Sequence, residues 1–189
     1  MKSGTRALGV AESYDGSQEA DESTLAGAVV RADRVVDGVG FERCTVGGTD
    51  ATETVRSLTD RLARADVRYV FLAGIALSWY NVVDLHGVHE AVERPVLSVT
   101  FEESDGLDDA IAEAFDGDAL ERRLDVYRDQ PPRRRVEVND RAVFVRCVGA
   151  SEETAERLVK RFTPAGGRPE PLRVARMAAR AGHRYRFEE

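Results

Sequence analysis

The sequence predicts an α/β fold, a mixed sheet flanked by helices. Three observations predict it. Three extended, β-branched segments come first. Helical and extended patterns then alternate. One later extended run, Val67–Ala73 (VRYVFLA), is apolar almost throughout, as a strand covered on both faces is. The 189 residues are 42% apolar and 32% charged, enough for a buried core, and they predict one domain over 1–189. This composition excludes collagen, mucin-like stalks and global disorder. No apolar run reaches the ~20 residues of a bilayer span. The opening MKSGTRALGVAES has no long apolar core with a small-residue cleavage site. These features predict a cytoplasmic protein without a membrane partner. Cys44 and Cys147 lie in separate apolar segments and outside any CxxC, which argues against a disulfide scaffold and a zinc ribbon.

Arg6–Val10 (RALGV) reads as the first strand, Ala11–Ser23 as a polar loop, and Thr24–Arg31 (TLAGAVVR) as the second strand. Arg34–Val46 continues extended, with bends available at Gly38 and Gly40. After Gly47-Gly48-Thr49, Asp50 is a good N-cap and Glu53 has capping-box spacing. Val55, Leu58, Leu62 and Ala65 then follow at helical intervals. Val67–Ala73 is the central strand, Gly74–Asn81 a turn, Val82–Val92 a helix and Pro95–Thr100 a fifth strand. Leu107–Phe115 and Ala119–Tyr127 read as helices divided at Asp116-Gly117. Arg135–Val148 reads as a hairpin turning at Asn139-Asp140. Ser151–Phe162 is an amphipathic helix capped by Ser151. Pro164–Pro171 is a loop, Leu172–Ala181 the last helix, and Met1–Thr5 and Phe187–Glu189 are frayed ends. An antiparallel meander followed by crossover units satisfies this order. Ribonuclease H-like folds share that topology with other mixed α/β folds.

Charge is distributed unevenly. Residues 1–120 carry 10 Lys+Arg against 23 Asp+Glu, and residues 121–189 carry 17 against 11. Of 27 basic residues only Lys2 and Lys160 are lysines. Abundant carboxylates with almost no lysine predict adaptation to high salt, and a GC-rich genome favouring Arg codons would give the same bias. In molar salt the Debye length is ~3 Å, so phosphate must be held by close bidentate contact.

Several segments together resemble the archaeal family known as domain of unknown function ninety-nine, or endonuclease dU. They are RALGV at Arg6–Val10, GGTDAT at Gly47–Thr52, GIALSWYNVVDL at Gly74–Leu85 and PEPLRVA at Pro169–Ala175. The resemblance spans most of the chain and implies a ribonuclease H-like, endonuclease V-like fold. It also implies a Mg²⁺-dependent endonuclease that hydrolyses phosphodiesters near deaminated bases of DNA or RNA. The family pattern after the first strand resembles Gly-Ile-Asp-Asp; here Gly9-Val10-Ala11-Glu12 stands there. The family's Asp-Gly at the end of the central strand is Ala73-Gly74, and its Asp-Gly before Asp-Ala-Thr is Gly47-Gly48. The remaining matched acids, Glu12, Asp50 and Asp84, are the candidate catalytic and Mg²⁺-binding residues.

A two-metal nuclease needs carboxylates converging on ions ~4 Å apart. Alanine offers no oxygen, so Ala11 and Ala73 argue for weak or absent Mg²⁺-dependent nicking. The alternative is a non-catalytic nucleic-acid- or protein-binding member of the same fold. A third reading is a small-molecule enzyme using Asn81 and Asp84 in one cleft. For each acid a plainer role competes: helix capping for Asp50 and Asp84, and a solvated loop for Glu12. Gly74–Asp84 is expected to line the functional cleft, at the carboxyl end of the central strand. Trp79, Tyr80 and Asn81 are candidate nucleic-acid-binding residues: the aromatics for stacking or core sealing, and Asn81 for a base edge or for fixing the turn. Arg173, Arg176 and Arg180 fall at i, i+3, i+7 on one helical face. They suit phosphate contact or pairing with the acidic first half.

Overall fold

The computed structural model describes residues 4–14, 16, 21–62 and 65–187. Its frame is a seven-stranded sheet in the order β3-β2-β1-β4-β7-β9-β8, with a two-stranded β5-β6 ribbon beside it. β1 (Arg6–Ser13), β2 (Glu22–Arg31) and β3 (Val36–Thr45) form an antiparallel meander. α1 (Ala51–Leu62) crosses to β4 (Val67–Leu72), parallel to β1. After β5 (Ala76–Leu77) and β6 (Asn81–Val82), α2 (Leu85–Val92) crosses to β7 (Val96–Thr100), parallel to β4. α3 (Asp108–Ala114) and α4 (Gly117–Arg128) precede a hairpin of β8 (Arg134–Val138) and β9 (Arg141–Val148). β9 runs antiparallel to β7. α5 (Glu152–Phe162) and α6 (Glu170–Phe187) close the chain.

Alternation along β1 sorts the two faces. Leu8 and Val10 pack with Val55 and Leu58 of α1, Leu85 and Val88 of α2, Ile111 of α3 and Tyr127 of α4. Ala7 and Phe71 pack on the other face with Leu158 and Phe162 of α5 and Leu172 of α6. α6 seats directly on β1. A Cβ at Gly9 would lie 2.2 Å from the Pro171 backbone, so only glycine permits that approach. Pro171 itself sits in the first turn of α6, where a missing N–H costs nothing.

Several element boundaries differ from the sequence reading. β1 continues through Ser13, because Ala11, Glu12 and Ser13 pair with Ala26, Leu25 and Thr24 of β2. Glu12 is therefore a strand residue rather than a loop residue. The rest of that expected loop falls partly outside the described residues. β3 starts only at Val36, after a turn over residues 32–35. α1 is described through Leu62, its expected continuation toward Ala65 lying partly outside the described residues, and α2 starts only at Leu85, since Asn81 and Val82 pair with β5. α4 starts at Gly117, and α6 extends from Glu170 through Phe187 because its apolar stripe keeps contact with β1 and β2. The frayed end expected at Phe187 is helical. The expected fraying of residues 1–3 and 188–189 lies outside the described residues. The hairpin turns at Asn139-Asp140 as expected, with φ of 48° and 60°. Ser151 caps α5 by accepting from the Thr154 N–H. No helix among the described residues is long and apolar enough to cross a membrane.

Candidate functional site

The acids divide between two places. Strand alternation turns Glu12 toward the α1 side of the sheet. There its carboxylate accepts from the Ser78 N–H at 2.9 and 3.1 Å and from the Ser78 hydroxyl. Ser78 Oγ in turn meets Ser23 Oγ at 2.7 Å. Asp50 turns back onto the end of β3. Its carboxylate accepts from the Thr45 hydroxyl at 2.7 Å, the Thr45 N–H at 3.2 Å and Asn81 Nδ2 at 2.5 Å. Burial alone would raise the Asp50 carboxyl, yet these hydrogen bonds hold it below its ordinary value. The fully buried Cys44 lies between the two acids, and burial together with the Asp50 and Glu12 charges pushes its thiol up to about 12.

Asn81 organises this network. Its Oδ1 accepts from the Ala51 N–H at 3.0 Å, while Nδ2 donates to Thr45 O at 2.9 Å as well as to Asp50. The N-terminal N–H of α1 is therefore met by Asn81, from 30 residues downstream, and not by the capping box expected from Asp50 and Glu53. Glu53 pairs with Arg56 instead. Asp84 stands apart. Its Oδ1 accepts from the His86 N–H at 2.9 Å as the N-cap of α2, and its own N–H donates to Thr52 Oγ1. It borders a shallow groove with Asp125, Arg128 and Asp129. Asn81 is wholly buried, so Asn81 and Asp84 do not share a cleft.

Ala11 and Ala73, where the resemblance places acids, meet at the ends of β1 and β4. They belong to one small apolar cluster with Ala28, Val30 and Ala175 of α6. Beside them, at the carboxyl ends of β4 and β7, opens a cavity of about 540 Å³. Ala73 itself lines it together with Gly74 to Ala76, as expected for the strand-end cleft, but Trp79 to Asp84 do not. The β5-β6 ribbon turns those residues toward β3 and α1, where Asn81 is anchored.

The cavity wall is rich in arginine: Arg133, Arg146, Arg168 and Arg176 all line it. Arg133 lies over Phe144 at 4.2 Å and donates to Thr100 Oγ1 at 2.9 Å and to the Ser104 and Glu102 carbonyls. Arg168 lies over Phe101 at 3.8 Å. Burial and the nearby charges of Arg176 and Arg180 hold Arg168 below the usual guanidinium range. The sequence reading missed Arg146 and Arg168 as site residues. They come from β9 and a separate loop, so no periodicity connects them with Arg133.

The three helical arginines have different surroundings. Arg173 is held by Glu170, with contacts of 2.8–3.0 Å, which raises its pKa. Arg176 and Arg180 have no ion-pair partner among the described residues. Pairing with the acidic first half is made by Arg186, to Glu22 at 2.8 Å. Trp79 and Tyr80 form the tip of the β5-β6 ribbon at φ of 54° and 56°, a left-handed pair usually filled by Asn-Gly. Both are half-buried, and their rings stand 5.6 Å apart. Trp79 packs beside Gly47.

The residues present do not fit a catalytic divalent metal. No group of three or more His, Cys, Asp or Glu among the described residues is placed to hold one. The oxygens of Glu12 and Asp50 are turned to hydrogen-bond donors of the protein, and Ala11 and Ala73 supply none.

Comparison with known proteins adds three findings. A family model described as Endonuclease dU matches residues 3–182. A UPF0215 protein of Pyrobaculum aerophilum is 31% identical over 180 residues, covering 94% of each chain. Among solved structures, an Archaeoglobus fulgidus protein of unknown function superposes with a TM-score of 0.82 at 25% identity, over 93% of this chain and 96% of that one. Ciona intestinalis endonuclease V, solved with a 23mer DNA containing an inosine followed by a ribo-adenosine, has a TM-score of 0.64 at 12% identity. That match covers 96% of this chain and 86% of the Ciona chain, a likeness of fold.

Proposed function

The chain belongs to the endonuclease dU family, and from that premise we propose that it is a nucleic-acid-binding member that does not carry out Mg²⁺-assisted hydrolysis. One observation carries the reading. Ala11 is buried in an apolar cluster, and Ala73, half-buried against that cluster, opens onto the cavity that arginines line. The arginines attract phosphate, while the carboxylates of that wall, Glu102, Glu103 and Asp105, stand on an exposed loop and form no group placed to hold a hard cation among the described residues. The endonuclease V fold and the DNA bound by its Ciona example support nucleic acid as the partner class. Arg176 and Arg180 are the helical arginines available for backbone phosphates, and Trp79 with Tyr80 is available for an unpaired base.

The competing reading keeps catalysis on Glu12 and Asp50, which share the network around Cys44. A single assay series separates the two. Uracil- and inosine-containing DNA and RNA strands are incubated with the protein in high KCl, with and without Mg²⁺, while binding is followed through the anisotropy of a labelled strand and the emission of Trp79 is read alongside. Binding with no Mg²⁺-dependent nick is the expected result. Robust cleavage by the wild type, abolished by Asp50→Ala, would overturn the proposal. Unchanged Trp79 emission at saturating strand would place that residue in core packing.

A further inference from the structure

We propose that the cavity at the ends of β4 and β7 is a site for a phosphomonoester dianion, clamped by Arg168 and Arg176. The inference deepens the nucleic-acid reading by naming the group the cleft takes, and rests on that reading only for the source of the phosphate. The cavity wall holds an unmet donor. Arg168 Nη1 is buried and has no hydrogen-bond acceptor among the described residues. Its guanidinium plane is fixed on the Phe101 ring at 3.8 Å, so the fork is oriented as well as dehydrated. Buried donors without acceptors are rare and costly, and an anion in the cavity would supply the acceptor.

Charge selects the class of anion. Arg168 is within electrostatic reach of Arg176 and Arg180, and Arg176 lines the same cavity with no carboxylate paired to it among the described residues. The carboxylates on the wall, Glu102, Glu103 and Asp105, lie on an exposed loop. Arg133 ties the backbone of that loop to Thr100 through the Glu102 and Ser104 carbonyls. Two or three mutually repelling guanidinium groups are better neutralised by a dianion than by the monoanionic phosphodiester of a chain interior. The cavity of about 540 Å³ is large enough for one nucleotide. A strand end bearing a terminal phosphate and a free nucleoside monophosphate present the same chemistry.

The test compares 12-nucleotide single strands with a 5′-phosphate, a 3′-phosphate or neither, and adenosine monophosphate as competitor, on the full chain at high KCl. The expected result is about tenfold tighter binding of one phosphorylated end, the scale of one charge-assisted hydrogen bond. That preference should vanish in Arg168→Gln and in Arg176→Gln. It should also fade below pH ~6, where the dianion takes up one proton and becomes a monoanion. Arg176 is exposed, so its variant keeps the test valid should Arg168→Gln lower the melting temperature. Adenosine monophosphate binding that needs Arg168, without binding of any strand, would support the site and overturn the nucleic-acid reading. Equal binding of all three strands, with no competition by the monophosphate, would overturn the site and leave the nucleic-acid reading standing. A preference that survives both substitutions would overturn the assignment to these arginines.

Discussion

Cys44 is enclosed by the sheet and by two carboxylates, and its thiol rises from 9.0 to about 12. A group raised in this way favours the folded state while neutral. Its contribution is whole below about pH 9 and is lost as pH climbs toward 12. At pH 8 in native buffer, Cys44 is therefore expected to resist iodoacetamide while the half-exposed Cys147 labels first. The stability advantage of wild type over Cys44→Ala should shrink between pH 9 and 12. Rapid native labelling of Cys44 would contradict the enclosure. Asn81 has the opposite leverage. Asn81→Ala leaves the Ala51 N–H without its acceptor and takes from the Asp50 carboxylate one of its donors, the Thr45 contacts remaining, and about 2 kcal/mol of stability should go with them. Asp50 is depressed in the fold, so its contribution is present at neutral pH and lost as pH falls through its folded pKa. Denaturant melts should show the gap between wild type and Asn81→Ala narrowing in acid.

At the scale of elements, α6 is the informative one. Its first turn rests on the Gly9 backbone, so Gly9→Ala should cost about 3 kcal/mol, since the backbone of Pro171 cannot yield as a side-chain tip would. Farther along, the arginines of its outer face separate by partner. Arg180 has no ion-pair partner among the described residues, and Arg180→Gln should weaken strand binding for all sequences alike and flatten the salt slope by ~1. Arg173 is held by Glu170 on an exposed surface. Arg173→Gln should leave binding nearly unchanged and move stability by under ~1 kcal/mol. Paired thermal melts and salt titrations on both variants check this, and an equal loss of binding in the two would refute the division. The helical spacing in the sequence places all three arginines on one face, but the neighbours of each are set by packing.

For the whole molecule, the decisive question is whether a metal site can be rebuilt. Ala11 is buried against Ala28, Val30 and Ala175, so Ala11→Asp would place a carboxylate where the apolar cluster now closes. Alone it should destabilise the fold by several kcal/mol. Together with Ala73→Asp, added Mg²⁺ should restore part of the melting temperature, as a ligand of the native state does. A calorimetric scan with and without Mg²⁺ measures this directly. No recovery would mean that the strand ends under α6 do not take an ion even with both acids in place.

Local pattern carried most of the architecture. Strand and helix periods, the Asn139-Asp140 turn and the Ser151 cap depend on residues a few positions apart, and all were legible as such. The family motifs likewise placed Ala11 and Ala73 where acids are expected, because those positions follow recognisable strands. The sequence did not disclose that Asn81 caps α1 across 30 residues. It also did not show that Glu12 and Asp50 meet around Cys44 while Asp84 stands elsewhere, or that Arg168 faces a cavity with Arg133 and Arg146. Each of these depends on which strand ends lie side by side. That adjacency follows from the sheet order and the seating of α6 on β1, which local hydrophobic periodicity does not encode.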